Sequence, residues 1–283
     1  MAQSGSALAL GARCRRFKSS HPDQIQGSDG NWNHKTTVDI PIGVMAQDKF
    51  THKSRISPKG YIQDYLKHYD RHRLTVVSKL LGDWQQNNAN QKVVLGSRVL
   101  MEFGASIEEL FAFTYAIYKQ CNVALDVPPD KSEVFFKHLF EYRHAKLYEF
   151  VKNNKFENWI ETQFHLPGRQ EMAKRMRYSE RYFVKSLEEA ECCLESKKDD
   201  FFGRNFRDIY NKLKHPFLVL APVDRNDTGE PLLPVLTESA DEGMVAKVQP
   251  VEVSLDCLEA FQSDILKISQ VIEFLLRLLL NRP

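Results

Sequence analysis

The sequence predicts a mainly α protein, an up-down helical bundle with a β-hairpin inserted before its last helix. Two observations carry this prediction. From residue 57 onward, apolar side chains recur every three or four positions through most of the chain, which is the spacing of one helix face. Short β-rich pieces with turn residues occur between about 217 and 253, and a strongly apolar helical pattern follows them.

The amino-acid composition limits the classes of protein to which this chain can belong. The chain has 283 residues, of which 42% are hydrophobic and 27% are charged, and this is enough for one large globular core. Its 39 basic and 37 acidic side chains give a formal net charge of +2, so the overall charge does not favour nucleic acid. An RNA-binding surface would therefore have to be a local basic patch, and DNA is not expected as a partner.

The sequence predicts an irregular N-terminal arm for residues 1–56 and the helical bundle for residues 57–283. The arm is rich in Gly, Ser, Asn, His and Lys around one apolar cluster, VDIPIGVM. Its basic residues follow a short apolar piece, which is the reverse of their order in a secretory signal. Five cysteines, an odd number without a CxxC spacing, fit a reducing compartment. We therefore expect a cytoplasmic protein.

Helical periodicity predicts the elements before the hairpin. The first helix starts at Pro58 and continues through GYIQDYLKHYDRHRLTVVSKLL. The second is SIEELFAFTYAIYKQCNVAL, opened by Ser106 with Glu109 three residues later, the pattern of a capping box. The third is PPDKSEVFFKHLFEYRHAKLYEFVKNN, and the fourth is GRQEMAKRMRYSERYFVKSLEEAECCLESKKDD, with a short FENWIETQF helix between them. The fifth is RNFRDIYNKLKHPF, which stops at Pro216.

The segment after Pro216 changes character. FLVLAPV, LLPVLTE and MVAKVQPVEV are β-rich pieces around the turn residues Asn226, Asp227 and Gly229, and they predict a hairpin over about 217–253. A last helix then starts at Ser254. Its apolar end, VIEFLLRLLL, is interrupted by two charged residues and is far shorter than the roughly 20 residues of a membrane span. This pattern predicts a buried helix and no membrane partner.

The fifth helix separates apolar from polar side chains. At about 100° per residue, the two sets lie on opposite faces, with Arg207 at the margin of the polar one. The apolar face holds Phe202, Phe206, Ile209 and Leu213, and the polar face holds Arg204, Asp208, Asn211 and His215. Such a polar face is either an ordinary solvated surface or the edge of a site. A histidine can transfer protons near neutral pH and an arginine can bind phosphate, which suits RNA hydrolysis.

These residues carry a family resemblance. A chain of helices that includes SIEELFAFTYAIYKQ and a late helix ending in YNKLKH before a β-hairpin resembles the HEPN superfamily, the small helical bundles of prokaryotic toxin and antiviral systems. The resemblance covers residues 58–282. It implies four or five helices that pair into a homodimer, with the late helices of two chains facing one another across a cleft. In active members that cleft is a metal-independent ribonuclease that uses the ribose 2′-hydroxyl as nucleophile and requires no cofactor.

The resemblance also assigns residues. Active members carry an arginine, a polar residue and, within a few positions, a histidine, which His215 matches. The nearest arginine is Arg207, followed by the polar Asp208, but seven residues separate it from His215. Arg204 lies further away and shares the helix face of His215, and Tyr210 stands where a closer spacing would place an arginine.

Two functional hypotheses follow from this pattern. In the first, the protein is an endoribonuclease of a toxin or antiviral system, with His215 transferring protons, Arg204 or Arg207 binding phosphate and Asn211 orienting the substrate. Three further polar residues complete the RNA-binding set in one or both chains of the dimer: Lys212, Lys214 and Asp208. In the second, the protein is a non-catalytic interaction or sensor module, a scaffold or antitoxin-like protein that binds a partner protein. There, Asn211 and His215 cap the helix end or hold the hairpin.

Two other sets of polar residues are candidates for sites. Asp64, His68 and His72 follow an i, i+4, i+8 spacing, but the outer two would lie about 12 Å apart on one helix, so a solvated face is favoured over a metal site. Glu108 and Glu109 are candidates for an acidic partner of the late-helix histidine or arginine, or plain surface residues.

One basic run offers a second nucleic-acid surface. AKRMRYSERY interleaves arginines with Tyr178 and Tyr182, which allows backbone contacts and base stacking, although nearby glutamates favour a solvated face. The chain contains no Walker loop, GxGxxG or GxSxG pattern, so nucleotide-driven and α/β-hydrolase chemistry have no support.

Overall fold

The computed structural model describes a subset of the chain: residues 57–68, 71–121, 133–140, 145–203, 206–214, 231–239 and 245–282. The chain divides into two units, Met1–Arg55 and Ile56–Pro283, and all described residues belong to the second. The predicted N-terminal arm therefore lies outside the described residues.

The described residues are mostly helical. In chain order the elements are α1 Pro58–His68, α2 His72–Gly82, α3 Ala89–Gln120, α4 Glu133–Phe140, α5 Ala145–Asn153, α6 Trp159–Gln163, α7 Arg169–Arg175, α8 Glu180–Gly203, α9 Phe206–Leu213, β1 Leu232–Ser239, β2 Val245–Glu252 and α10 Leu255–Leu280. The predicted fold class, a mainly α bundle with a hairpin before its last helix, is confirmed.

Helix α3 is the centre of the bundle. It is 32 residues long and packs against α10, α2, α4, α5, α8, α9 and the hairpin. Between Val99 and Ile117 it is buried on most of its circumference, as expected for a helix surrounded by other helices. The ring of Phe103 lies 5.2 Å from that of Phe206 and 4.6 Å from that of Phe261, so one α3 side chain joins α9 and α10.

The start of α3 differs from the prediction. The helix begins at Ala89, not at Ser106, and its capping box is formed by Asn88 and Gln91, whose side chains each accept a hydrogen bond from the other's backbone N–H. Ser106 is buried inside the helix, where its hydroxyl donates to the carbonyl of Phe103 at 2.7 Å. A Ser-x-x-Glu pattern is also compatible with a helix interior, and here Glu109 bonds to other elements instead.

Three predicted helices are each described as two. Residues 69 and 70 separate α1 from α2 and lie outside the described residues, and Arg71 has non-helical angles of φ −125° and ψ 15°. Similarly, residues 141–144 lie between α4 and α5 outside the described residues. Between α7 and α8, Arg177 has a left-handed φ of 58°, and the Ser179 hydroxyl accepts the backbone N–H of Tyr182 at 3.2 Å. Periodicity misses such breaks because both halves keep helical spacing.

The hairpin is two antiparallel strands in register from Leu232 opposite Glu252 to Ser239 opposite Val245. Its connection therefore falls at residues 240–244, not at the turn residues Asn226, Asp227 and Gly229, which lie outside the described residues, as does FLVLAPV. Strand β1 contacts α9 and α3. The hairpin thus packs beside α9, the helix that the sequence singles out.

Two glycines of α3 allow close packing at this side of the bundle. A Cβ at Gly96 would lie 2.8 Å from Cβ of Val253, and a Cβ at Gly104 would lie 2.7 Å from Cε2 of Tyr210. Real Cβ atoms do not approach other atoms so closely, so glycine is required for these contacts. Gly104 in particular lets the Tyr210 ring of α9 lie directly on α3.

A buried lysine joins α8 to α10. Lys197 donates to Asp200 on its own helix at 2.8 Å and to Asp264 of α10 at 2.6 Å. Its side chain is nearly inaccessible, so the two carboxylates satisfy an ammonium that would otherwise be unfavourable in the core. Burial alone would lower the pKa of Lys197, but the hydrogen bonds and charges of the two aspartates raise it.

Candidate functional site at the end of α9

Helix α9 is short and amphipathic. Ile209, Tyr210 and Leu213 are buried against α3, α8 and β1. Of the predicted polar residues, Asp208 is exposed and Asn211 and Lys212 are half-buried, while Lys214 is exposed just beyond the helix end. Arg204 and His215 lie outside the described residues. The described part of the predicted site therefore comprises Arg207, Asp208, Asn211, Lys212 and Lys214.

Arg207 is held by aromatic rings. Its guanidinium carbon lies 4.2 Å from the centre of the Tyr148 ring and 5.8 Å from that of Phe202. Its Nε is buried and has no hydrogen-bond partner among the described residues. One face of the guanidinium is thus occupied by a tyrosine of α5. This stacking is not visible in the sequence, where Arg207 resembles a phosphate-binding arginine.

Glu108 of α3 is the main polar partner of α9. Its carboxylate accepts hydrogen bonds from the hydroxyl of Tyr210 at 2.8 Å, from the hydroxyl of Tyr148 at 3.2 Å and from the ammonium of Lys214 at 3.1 and 3.3 Å. The Lys214 ammonium also lies 4.0 Å from the centre of the Tyr210 ring. Glu108 is therefore bonded to Tyr210 of α9 and to Lys214 beyond its end. The sequence predicted a histidine or an arginine of the late helix as its partner, but Arg207 stacks on Tyr148 and His215 lies outside the described residues.

Glu109, the next residue, serves a second set of contacts. It accepts from the hydroxyl of Tyr65 on α1 at 3.0 Å and from Nε of Arg73 on α2 at 2.8 Å. Arg73 also donates to Glu102 of α3 at 2.8 Å. The side chains of consecutive helical residues point in directions about 100° apart. Glu108 and Glu109 therefore contact different neighbouring helices although they lie in the same turn of α3. The two carboxylates tie α9 and the α1–α2 pair to the same part of α3.

A cavity of about 570 Å³ lies between these two sets of contacts. Its polar lining is Arg73, Glu108, Glu109, Tyr210 and Lys214, and the remaining lining residues are Tyr61, Ala105, Ala112, Phe113 and Leu139. This volume falls within the range of small-molecule sites, which combine apolar walls with a few placed polar groups. Lys214, directly before His215 in the chain, lies at its edge.

Tyrosine hydroxyls of the site are held as hydrogen-bond donors. Burial and the nearby charge of Glu108 raise the pKa of Tyr210, and burial and Glu109 likewise raise the pKa of Tyr65. For Tyr148, burial and Glu108 raise the pKa to about 12, against the opposing charge of Arg207. For Arg73, burial would lower the pKa, but Glu109 and Glu102 raise it above its usual value. The site thus keeps neutral phenols beside the carboxylates and a firmly charged guanidinium.

Sequence reasoning missed Tyr210, Tyr148, Tyr65 and Arg73 as members of this site. Tyr65 counts as an apolar position in helical periodicity, and Tyr210 stands at a position where the family motif would have an arginine. Arg73 gives no signal, since charged residues are common on any helix surface. Only the adjacent pair Glu108 and Glu109 on an otherwise apolar helix pointed to this location.

The other sequence candidates take different places. His68 ends α1 and His72 starts α2, so Asp64, His68 and His72 do not share one helix. Within the described ranges, no group of three or more His, Cys, Asp or Glu is placed to hold a metal ion. No helix in the described part of the chain is long and apolar enough to cross a membrane.

The basic run is split between α7, its turn and α8. Arg175 is paired with Glu171 at 2.7 Å. The rings of Tyr178 and Tyr182 meet edge to face with centres 4.9 Å apart, and Tyr182 is 56% exposed. The exposed Tyr182 is available for stacking on a base. Arg175, however, forms an ion pair with a glutamate on its own helix, as is typical of an ordinary solvated helix face.

Comparison with protein-family models, with curated proteins and with solved structures found no match to this chain.

Proposed function

We propose that this chain is a metal-independent endoribonuclease of the HEPN-like kind, acting at the C-terminal end of α9 in a cleft between two copies. The observation that supports this most directly is the position of Lys214. The residue before His215 lies at the edge of a cavity lined by Arg73, Glu108, Glu109 and Tyr210. A histidine that acted with such a set of cations, carboxylates and phenols would supply the groups that phosphodiester cleavage requires.

The proposed reaction is transesterification within the RNA strand. The ribose 2′-oxygen attacks the adjacent phosphorus, the bond from phosphorus to the 5′-oxygen breaks, and the products are a 2′,3′-cyclic phosphate and a free 5′-hydroxyl. His215 of one copy takes the proton from the 2′-hydroxyl, and an imidazolium, His215 of the second copy, gives a proton to the departing 5′-oxygen. Atoms and charge balance without a metal or an external reactant.

The other polar residues of α9 have supporting roles in this proposal. We assign the phosphate to Arg204, because Arg207 has one face of its guanidinium against Tyr148. Asn211 orients the substrate, and Lys212 and Lys214 attract the backbone. Asp208, exposed on the same helix, contacts the RNA through its carboxylate as an acceptor of sugar or base donors.

The test is cleavage of labelled single-stranded RNA and transfer RNA by purified protein in the presence of a chelator. We expect cleavage with 2′,3′-cyclic phosphate ends, and none when the strand has deoxyribose at the cleaved position. His215→Asn should lower the rate by about 10²- to 10⁴-fold. The matched control is His165→Asn, since His165 is exposed and has a left-handed φ of 47° that asparagine tolerates. Equal activity in both variants would contradict the proposal.

A second candidate function is favoured by one observation. Because Arg207 is stacked on Tyr148 and Phe202 and Lys214 is paired with Glu108, two predicted RNA-binding cations have partners inside the chain. That arrangement suits a non-catalytic interaction module. In that case RNA stays intact in the same assay, and His215→Asn changes only stability or the binding of a partner protein.

A further inference from the structure

The cavity beside α9 has an apolar side. Ala105 and Ala112 are seven residues apart on α3, so they lie on the same face of the helix, and both line the cavity with only a methyl group. The rings of Tyr61 and Phe113 and the side chain of Leu139 form the rest of the apolar lining. Small side chains beside aromatic ones suit a planar ring, which can stack on the aromatic faces.

The polar side of the cavity offers acceptors. An ionised carboxylate has about four acceptor positions. Glu108 already accepts four contacts, from Tyr210, Tyr148 and twice from Lys214. Glu109 accepts only one hydrogen bond per oxygen from the described residues, from Tyr65 and Arg73. Each of its oxygens therefore keeps a lone pair for a ligand, while the two bonds fix the carboxylate in place.

A fixed carboxylate with two available oxygens selects a ligand with two adjacent donors. On the pairing edges of the RNA bases, guanine alone presents this pattern, through its ring N1–H and its 2-amino group. Adenine and cytosine present one amino group beside an acceptor, and uracil presents one ring N–H between two acceptors. Buried polar groups reject an analogue that lacks a matching donor, so the selection is strong.

We propose that this cavity binds the guanine base of an RNA nucleotide, with Glu109 accepting from N1–H and the 2-amino group and the aromatic lining stacking on the ring. As a statement about RNA, the proposal rests on the proposed function, because the base would belong to the strand cleaved at the end of α9. The ribonuclease would then cut next to guanosine. Lys214, at the edge of the cavity, lies where the strand passes from the base to the phosphate.

The experiment is calorimetric titration of the full chain with the 5′-monophosphates of guanosine, inosine, adenosine, cytidine and uridine. Inosine differs from guanosine only by the missing 2-amino group, so the comparison isolates one hydrogen bond to a carboxylate. We expect GMP to bind about ten- to a hundredfold more tightly than IMP and the other nucleotides. Equal affinities, or no binding of any nucleotide, would overturn the proposal.

Two variants sharpen the result. Glu109→Gln should bind GMP no better than IMP, because the amide has a single acceptor oxygen. Ala105→Leu should remove nucleotide binding by filling the cavity while leaving the carboxylates in place. Circular dichroism and a melting curve verify that both variants fold. If either variant does not fold, the ratio of the GMP and IMP affinities of the unmodified protein tests the proposal.

The titration separates this proposal from the proposed function. His215→Asn should bind GMP as tightly as the unmodified protein does, since the proposed base contacts are made by Glu109 and the aromatic lining. RNA cleavage without preference for guanosine would overturn the pocket and leave the ribonuclease. GMP binding without RNA cleavage would overturn the ribonuclease and leave a guanine-binding module.

Discussion

At the scale of single residues, Gly104 decides how closely α9 approaches α3. The Tyr210 ring occupies the space that a Cβ at position 104 would need, and the Tyr210 hydroxyl reaches Glu108 from there. The geometry of the candidate site therefore depends on a residue that carries no chemistry.

Replacing Gly104 tests this dependence. Gly104→Ala should lower the free energy of unfolding by about 1–3 kcal/mol, because Tyr210 has to move away from α3. Urea denaturation measures the change. Gly82→Ala is the matched control, since a Cβ there meets nothing within 4 Å and alanine favours the helix. A Gly104→Ala protein as stable as Gly82→Ala would show that the Tyr210 contact does not position α9.

The tyrosines predict how stability depends on pH. Burial and Glu108 raise the pKa of Tyr148 from 10.0 to about 12 in the fold. Above pH 10 the unfolded chain loses this proton while the folded chain keeps it, so the contribution to stability is complete below pH 10 and is lost as the pH rises toward 12. The raised pKa values of Tyr65 and Tyr210 act in the same direction.

Tyr148→Phe should therefore weaken the alkaline loss of stability. Between pH 10 and pH 12 we expect the free energy of unfolding of the unmodified protein to fall. In Tyr148→Phe we expect a less steep fall, and the two slopes should differ by less than about 1 kcal/mol per pH unit because the Tyr148 side chain is partly solvated. The phenylalanine ring keeps the contact with Arg207. Denaturation at a series of pH values measures both slopes, with the exposed Tyr182→Phe as control. Parallel slopes for Tyr148→Phe and the unmodified protein would contradict the assignment.

At the scale of elements, the length of α3 is the feature that organises the bundle. Its 32 residues span about 48 Å, so one helix can present Gly96 to Val253, Phe103 to α9 and α10, and Glu109 to α1 and α2. A helix that began at Ser106 would lose the first two contacts. The capping box of Asn88 and Gln91 therefore matters to the whole bundle.

Two alanine variants locate the start of α3. Asn88→Ala should cost about 1 kcal/mol, because the backbone N–H of Gln91 loses its acceptor. Ser106→Ala should change the free energy of unfolding by no more than about 0.5 kcal/mol. The Ser106 hydroxyl donates only to the carbonyl of Phe103 in the same helix, and alanine is the better helix former. Thermal melts of both variants make the comparison. A larger loss in Ser106→Ala than in Asn88→Ala would place the start of the helix where the sequence pattern first suggested.

At the scale of the whole molecule, the proposed cleft requires two copies. Cleavage per chain should fall as the protein is diluted below its dimer dissociation constant, since each copy supplies one imidazole. Sedimentation velocity over the same concentrations gives the fraction of dimer. A rate per chain that stays constant while the dimer dissociates would show that one copy is sufficient.

Mixing experiments test the same requirement. An excess of His215→Asn protein should lower the cleavage rate per unmodified chain, because mixed dimers contain one imidazole in place of two. An excess of His165→Asn protein should not, since that variant keeps His215. Equal effects of the two additions would argue against a shared site.

The elements themselves were largely predictable. The apolar spacing of the last helix predicted a buried helix from Ser254, and α10 runs from Leu255 to Leu280 with Ser254 as its N-cap residue. The amphipathic pattern around Ile209 and Leu213 likewise predicted α9, although Phe202, expected on its apolar face, lies in α8, and Tyr210 is buried as well. The breaks near Arg71 and Arg177 were not predictable, because one or two residues with non-helical dihedrals leave the apolar spacing on either side unchanged.

The sequence by itself determined the fold class, the polar face of α9 and the presence of two adjacent carboxylates on an apolar helix. Only the tertiary structure decided which partners those carboxylates have. Tyr210 reaches Glu108 across 102 positions of the chain, and Arg73 reaches Glu109 across 36. Helical periodicity records which side of each helix is buried, but the pairing of two buried sides depends on packing between elements far apart in sequence, such as the ring of Tyr210 against Gly104.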